Sequence, residues 1–151
     1  PLQVIRDHLD EVDAGREPGL PIAPPSIAPG SRRYSRAELL STSGAAPQLL
    51  NDAISTGVLT AGESYSEDAL TLMRALVALD RHGIEPRHVR GLRQSAEREA
   101  ALVESSLATL LRRTDAPSRA KANELAPVLA SRLDEVRQVF LKDALSRFIN
   151  P

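Results

Sequence analysis

The stretch from Tyr65 to Arg98 leaves the chain few choices, because it sets two amphipathic helices on either side of a tight corner, His82-Gly83-Ile84-Glu85-Pro86. Before the corner, Ala69, Leu72, Met73, Leu76, Val77 and Leu79 recur at helical spacing, so one face turns to a core. Ser66 is the expected N-cap, its hydroxyl accepting from an N–H that the first turn leaves unpaired. Glu67 and Asp68 put negative charge at the positive end of the helix dipole. Gly83 is expected to end this helix, since glycine enters the left-handed region without a Cβ clash, and Ile84 then folds back on the last turn. Pro86 opens the next helix, where its missing N–H costs nothing, with Glu85 as a tolerable cap. Val89, Leu92, Ala96, Val103, Leu107 and Leu110 line one side of that second helix, which is expected to continue to about Arg113.

A chain of 151 residues is long enough for one ordinary core. No run approaches the roughly 18 uninterrupted apolar residues of a membrane span, so no membrane partner is expected. Cysteine is absent, which excludes disulfides and thiolate metal sites and fits a reducing cytoplasm. A start at Pro1 points to the later part of a longer protein. Leu2, Ile5, Leu9 and Val12 share one helical face, so residues 1–16 read as the end of an upstream helix. Residues 17–33 hold Pro18, Pro21, Pro24, Pro25 and Pro29, a density that prevents helix and makes a semi-rigid linker.

Residues 34–98 are expected to form the first folded unit. Ser35 and Glu38 have the spacing of a capping box, and Tyr34 can staple against Leu39. That helix is expected to end near Ser43-Gly44. Pro47 opens another with Leu49, Leu50, Ala53 and Ile54 on its apolar side, which Gly57 ends. Val58 and Leu59 then read as a short extended piece before the chain turns back to Tyr65. Helix, turn, helix, a vestigial wing and two more helices is the order of a small winged helix-turn-helix unit. The fold class is therefore mainly α, with long antiparallel helices over 99–151 following that unit.

Tyr65-Ser66-Glu67-Asp68-Ala69-Leu70, followed by Leu79 to Arg90 through the Gly83-Ile84 corner, resembles the second half of the DNA-binding domain of MerR-type transcription regulators. Residues Pro1 to Gly15 resemble the tail of an earlier copy of the same corner. The whole chain is similar to the C-terminal half of two-domain actinobacterial MerR-like regulators, the cell-division-associated, FtsR-like group. The resemblance implies a cytoplasmic homodimer whose missing N-terminal domain reads DNA.

Charge departs from that pattern. A reading helix presents Arg, Lys, Asn or Gln at its exposed start with cations on the flanking phosphates. Between Ser35 and Asp68 only Arg36 stands against Glu38, Asp52, Glu63, Glu67 and Asp68. Gln48 and Asn51 have base-reading chemistry, yet exposed polar residues on an amphipathic helix ordinarily meet solvent. The unit therefore reads as a degenerate copy kept for regulation or assembly, with weak or no DNA binding of its own.

Arg87, His88, Arg90 and Arg93 lie near the start of the corner's second helix and are the candidate anion or partner-binding set; a solvated face is the ordinary reading. All but Lys121 and Lys142 of the 19 basic residues are arginine, which the alanine-rich composition ascribes to GC-rich coding. His82 and His88 flank the corner without further ligands at metal spacing, so no metal or cofactor is expected. No phosphate loop, nucleophile elbow or facing carboxylate pair occurs, which argues against an enzyme.

After a turn at Thr114 to Ser118, the last helix is expected from Ser118 or Arg119 to Phe148, kinked or split near Asn123 by Pro127. Its apolar stripe and that of the preceding long helix make an antiparallel hairpin in one chain or a four-helix packing between two. Leu92, Ala96, Val103, Leu107, Leu110, Phe140 and Phe148 are the candidate packing and dimer residues. The alternative to a regulatory dimerisation domain is a module that binds a peptide or protein effector, with Leu49, Leu50, Ile54, Val58 and Leu59 lining an apolar groove.

Overall fold

In the computed structural model, which describes residues 32–149, six helices follow one another and no strand occurs among the described residues. The readings for 1–16 and for the linker up to residue 31 lie outside the described residues. The chain divides into two compact units, one ending at Arg90 and the other beginning at Gly91.

The first unit starts with a short clasp. Tyr34 and Tyr65 exchange backbone hydrogen bonds of 2.8 and 2.7 Å as an isolated antiparallel bridge. Arg33 reinforces it, donating from Nε to Ser64 Oγ at 3.0 Å and from Nη2 to Ser64 O at 2.9 Å. Each tyrosine is followed by a serine that caps a helix. Ser35 Oγ accepts from Glu38 N at 3.1 Å while Glu38 Oε1 accepts from Ser35 N at 2.9 Å, the reciprocal pair its spacing predicts. That box opens α1 (Arg36–Ser43), which ends at Gly44 with φ 78°. Ser66 Oγ accepts from Ala69 N at 3.2 Å and opens α3 (Glu67–Asp80).

Between them, α2 (Pro47–Ser55) begins at its proline without a side-chain cap. Val58 and Leu59, expected as an extended piece, instead fold back on the helix just completed. Their N–H groups both donate to Ala53 O, at 2.9 and 3.0 Å, once Gly57 has turned the backbone at φ 81°. Both N–H groups are thus bound to the end of α2. At the corner, Gly83 takes φ 81° and Ile84 N donates to Leu79 O at 3.1 Å, the expected fold-back. Then α4 (Pro86–Ser106) starts at the buried Pro86.

Leu39, Leu50, Met73 and Leu76 are fully buried at the centre of this unit. Tyr34, Leu49, Ala53, Val58, Leu59, Tyr65 and Leu70 surround them, and Val89 of α4 packs on the cluster. Each large apolar side chain so enclosed stabilises the fold by roughly 1.5–3 kcal/mol.

In the second unit α4 does not reach Arg113 as one helix. It stops at Ser106, Leu107 leaves the helical region at φ −102° and ψ 10°, and α5 (Ala108–Leu111) follows. Leu107 is buried where α5 packs on α6 (Ala116–Leu145), so burial of one side chain takes precedence over continuity of the periodic pattern. Asp115 caps α6, its Oδ2 accepting from Ser118 N at 3.0 Å. The helix thus starts earlier than expected and closes at Leu145 rather than Phe148. It also runs unbroken through Pro127, where a split was expected. The proline withdraws one N–H from a 30-residue helix, and the bonds on either side keep it continuous.

Candidate functional site

The face of α2 that a DNA reader would use is occupied by internal bonds. Gln48 Nε2 donates to Asp52 Oδ1 at 2.8 Å, and Arg36 Nη2 donates to Asn51 Oδ1 at 3.0 Å. Neither Lys nor Arg occurs in α2, and Arg36 of α1 spends one of its donors on the Asn51 amide. The residues proposed from sequence as groove lining are mostly interior. Leu49, Leu50, Val58 and Leu59 are buried in the core cluster and Ile54 is packed against it, so they hold the unit together and offer no open groove. Apolar spacing identified them as inward-facing, but spacing does not distinguish a covered face from an open one.

The cationic set at the start of α4 is largely engaged. Arg87 Nε donates to Glu85 Oε1 at 2.8 Å, and that hydrogen bond, with the guanidinium charge, holds the Glu85 carboxyl below its ordinary pKa. His88 Nδ1 accepts from Glu85 N at 2.9 Å, so the imidazole caps the helix by reaching back to the residue before Pro86. Sequence reasoning had Glu85 as the cap. The signal it missed is the three-residue spacing, in which His takes the place that Glu38 has in α1. Arg90 is exposed. Arg93, in the second unit, lies 3.9 Å from Glu97.

The second unit has a different character. Its only buried residues among those described are Leu107, Ser118 and Ala122. Of the candidate packing residues, Val103 and Leu110 are half-buried, whereas Leu92, Ala96, Phe140 and Phe148 are exposed. Phe140 is 68% and Phe148 75% exposed, and Val136, Val139 and Leu141 extend the same apolar surface along α6. Near its end Leu141, Leu145 and Ile149 line a shallow cleft of about 330 Å³ with Gln138, Lys142 and Ser146 at its rim. One polar link crosses between the long helices. Arg137 Nε donates to Glu99 Oε2 at 3.2 Å, and the guanidinium also pairs with Asp134. Hydrogen bonding to Glu99 raises the Arg137 pKa further and keeps the group charged. Periodicity gave no sign of this bridge, because Arg137 lies on the same helical row as Leu133 and Ala144.

What this surface can do chemically is exclude water against a matching apolar face. It carries no ligand set: among the described residues no three His, Asp or Glu side chains gather as a metal site. No helix among them is long and apolar enough to cross a membrane.

Residues 32–149, all of both units that the structure describes, match the family described as Rv1828-like, C-terminal domain. The chain belongs to that family. Two relatives agree with the assignment: an HTH-type transcriptional regulator of Mycobacterium tuberculosis, Rv1828, and its counterpart in Mycobacterium bovis, Mb1859, both named as uncharacterized. Each is 30% identical over 167 residues, spanning 96% of this chain and 68% of the relative. As a member of the Rv1828-like C-terminal domain family, the chain is similar to proteins named as transcriptional regulators, not to enzymes.

Proposed function

We propose that this Rv1828-like domain is the regulatory and dimerisation part of a cytoplasmic, MerR-like transcriptional regulator of the FtsR-like group. In this reading the first unit is a degenerate winged helix-turn-helix copy, and an upstream domain reads the operator. The second unit joins two copies and so sets the spacing of the two reading heads, as half-site geometry requires of a symmetric dimer. An effector that favours one packing of the joined helices would shift the population of spacings.

One observation carries the dimer reading: among the described residues the second unit encloses almost no apolar side chain, yet exposes Leu92, Val139 and Phe140 along two long helices and Phe148 just beyond the second. A patch of that kind on a regulator-like helix pair fits a second copy of itself, since a two-fold axis lets one stripe cover the same stripe. The relatives' names supply the DNA-binding context. The mass of the chain in solution tests the proposal directly. A dimer is expected, and a monomer throughout a dilution series would overturn it. Sequence-selective binding of duplex DNA by this chain alone would overturn the degenerate-copy reading.

A further inference from the structure

The turn between α5 and α6 gathers four positive charges within ten residues. Arg112 and Arg113 close one side, Arg119 and Lys121 open the other, and all four side chains are exposed. Asp115 is the only acid between them. Its carboxylate is committed to capping α6, with hydrogen bonds from Ser118 holding its pKa below the ordinary value. Folding draws the two sides together: α5 packs on α6, and Arg113 Nη1 donates to Ser118 Oγ at 3.5 Å across the turn.

Among the described residues none of the four cations makes an ion pair, as is also true of the isolated Arg98 and Lys142, whereas Arg93, Arg132, Arg137 and Arg147 of the same unit each pair with a carboxylate. Glu104 shares a shallow cleft with Arg112 but does not come within pairing distance. Cations in the first turns of a helix also oppose its dipole, so α6 gains nothing in folding from Arg119 and Lys121. The concentration of unpaired positive charge at one turn therefore calls for a partner outside the chain.

We propose that this turn is a sequence-independent contact for the phosphate backbone of duplex DNA. The choice of DNA among polyanions rests on reading the chain as part of a DNA-bound regulator. Guanidinium groups pair with phosphate oxygens through charge-assisted hydrogen bonds, and such contacts position a protein on DNA without reading its bases. The turn thus supplies the cationic surface that the α2 face lacks.

Fluorescence anisotropy of a labelled duplex of mixed sequence, titrated with the full chain at increasing salt, tests this. Each phosphate contact contributes about −0.9 to the slope of log K against log salt, so four contacts give about −3.6. Substituting Arg112→Gln, Arg113→Gln, Arg119→Gln and Lys121→Gln together should abolish measurable binding. The single variants R119Q and K121Q should each make the slope shallower by about 0.9, which keeps the test decisive if the quadruple variant misfolds. Replacing Arg87 and Arg90 with Gln should leave the slope unchanged. Absence of duplex binding by the unsubstituted chain at low salt would overturn the proposal. So would slopes unaltered by the single variants, or tighter binding to polyglutamate or to anionic lipid vesicles than to duplex. Weighing the same samples separates the two readings: a dimer that fails to bind duplex sinks only this contact, and a monomer that binds through these residues sinks only the dimer.

Discussion

Replacing Phe140 with Ser probes the proposed subunit contact where the structure gives it most to lose. An aromatic side chain buries 150–250 Å² when enclosed, so with the residue 68% exposed roughly 136 Å² is still in contact with water. At 25 cal/mol per Å², covering that area contributes at most about 3.4 kcal/mol per subunit, and a two-fold dimer holds two such rings. Incomplete cover and the entropy of association reduce the yield. Retaining even half of the paired total, about 3.4 kcal/mol, still corresponds to a more than hundredfold change in the dissociation constant. Sedimentation equilibrium over a dilution series reads this directly. The F140S chain should dissociate at concentrations where the unsubstituted chain is a dimer. Its first unit should keep its helical signal, because Phe140 is not one of the residues enclosed in that unit's core. An unchanged dissociation constant would show that α6 does not join the subunits through this face.

Association should also govern the second unit's stability, since so little is enclosed within it: its unfolding midpoint should rise with protein concentration while that of the first unit stays fixed. In the first unit, Leu50→Ala removes a fully buried side chain and should cost about 2–5 kcal/mol in urea denaturation. The two alanine substitutions Gly83→Ala and Gly91→Ala should move stability in opposite directions although neither Cβ meets an atom within 4 Å. Gly83 sits at φ 81°, where a Cβ costs roughly 1–2 kcal/mol, whereas Gly91 lies inside α4, where alanine gains roughly 0.5–1 kcal/mol. Asp115 gives a pH dependence of known sign. Its folded pKa is lowered by bonds from Ser118, so its stabilisation is complete above the ordinary carboxylate pKa and is lost as pH falls through the folded value. Thermal melts of D115N should therefore show a shallower acid-side decline than those of the unsubstituted chain.

The parts of this fold that could be read in advance are those fixed by chemistry within a few residues. Ser35 with Glu38, Ser66 with its acidic first turn, Gly83 before Ile84, and Pro86 at a helix start each satisfy local backbone groups, and each takes its expected place. What was not legible depends on residues far apart. Nothing near Leu107 announces a break; its burial where α5 meets α6 does. Pro127 argued for a split that one missing hydrogen bond in a long helix does not enforce. Val58 and Leu59 looked extended because their N–H partner, Ala53 O, becomes available only after Gly57 reverses the chain. The same limit applied to function. Apolar periodicity marked Leu50 and Phe140 alike, yet one is wholly enclosed and the other mostly bare, and only the packed structure separates core from candidate interface.

That separation bears on the proposal that the first unit is a degenerate copy of a DNA-reading fold. The interior around Leu39, Leu50, Met73 and Leu76 depends on volume and shape, and none of those side chains contributes to the outer face of α2. Outer residues are constrained only by what they meet. On α2 the polar groups meet one another: Asp52 occupies the Gln48 amide, and Arg36 occupies the Asn51 carbonyl. A base or phosphate approaching there would have to displace these bonds and approach the Asp52 carboxylate with no cation on the helix to compensate. At the 112–121 turn the order is reversed, with cations that pair with no carboxylate among the described residues. Internal pairing on the α2 face, and its absence at the turn among the described residues, are the observations that favour the turn over α2 for the proposed phosphate contact.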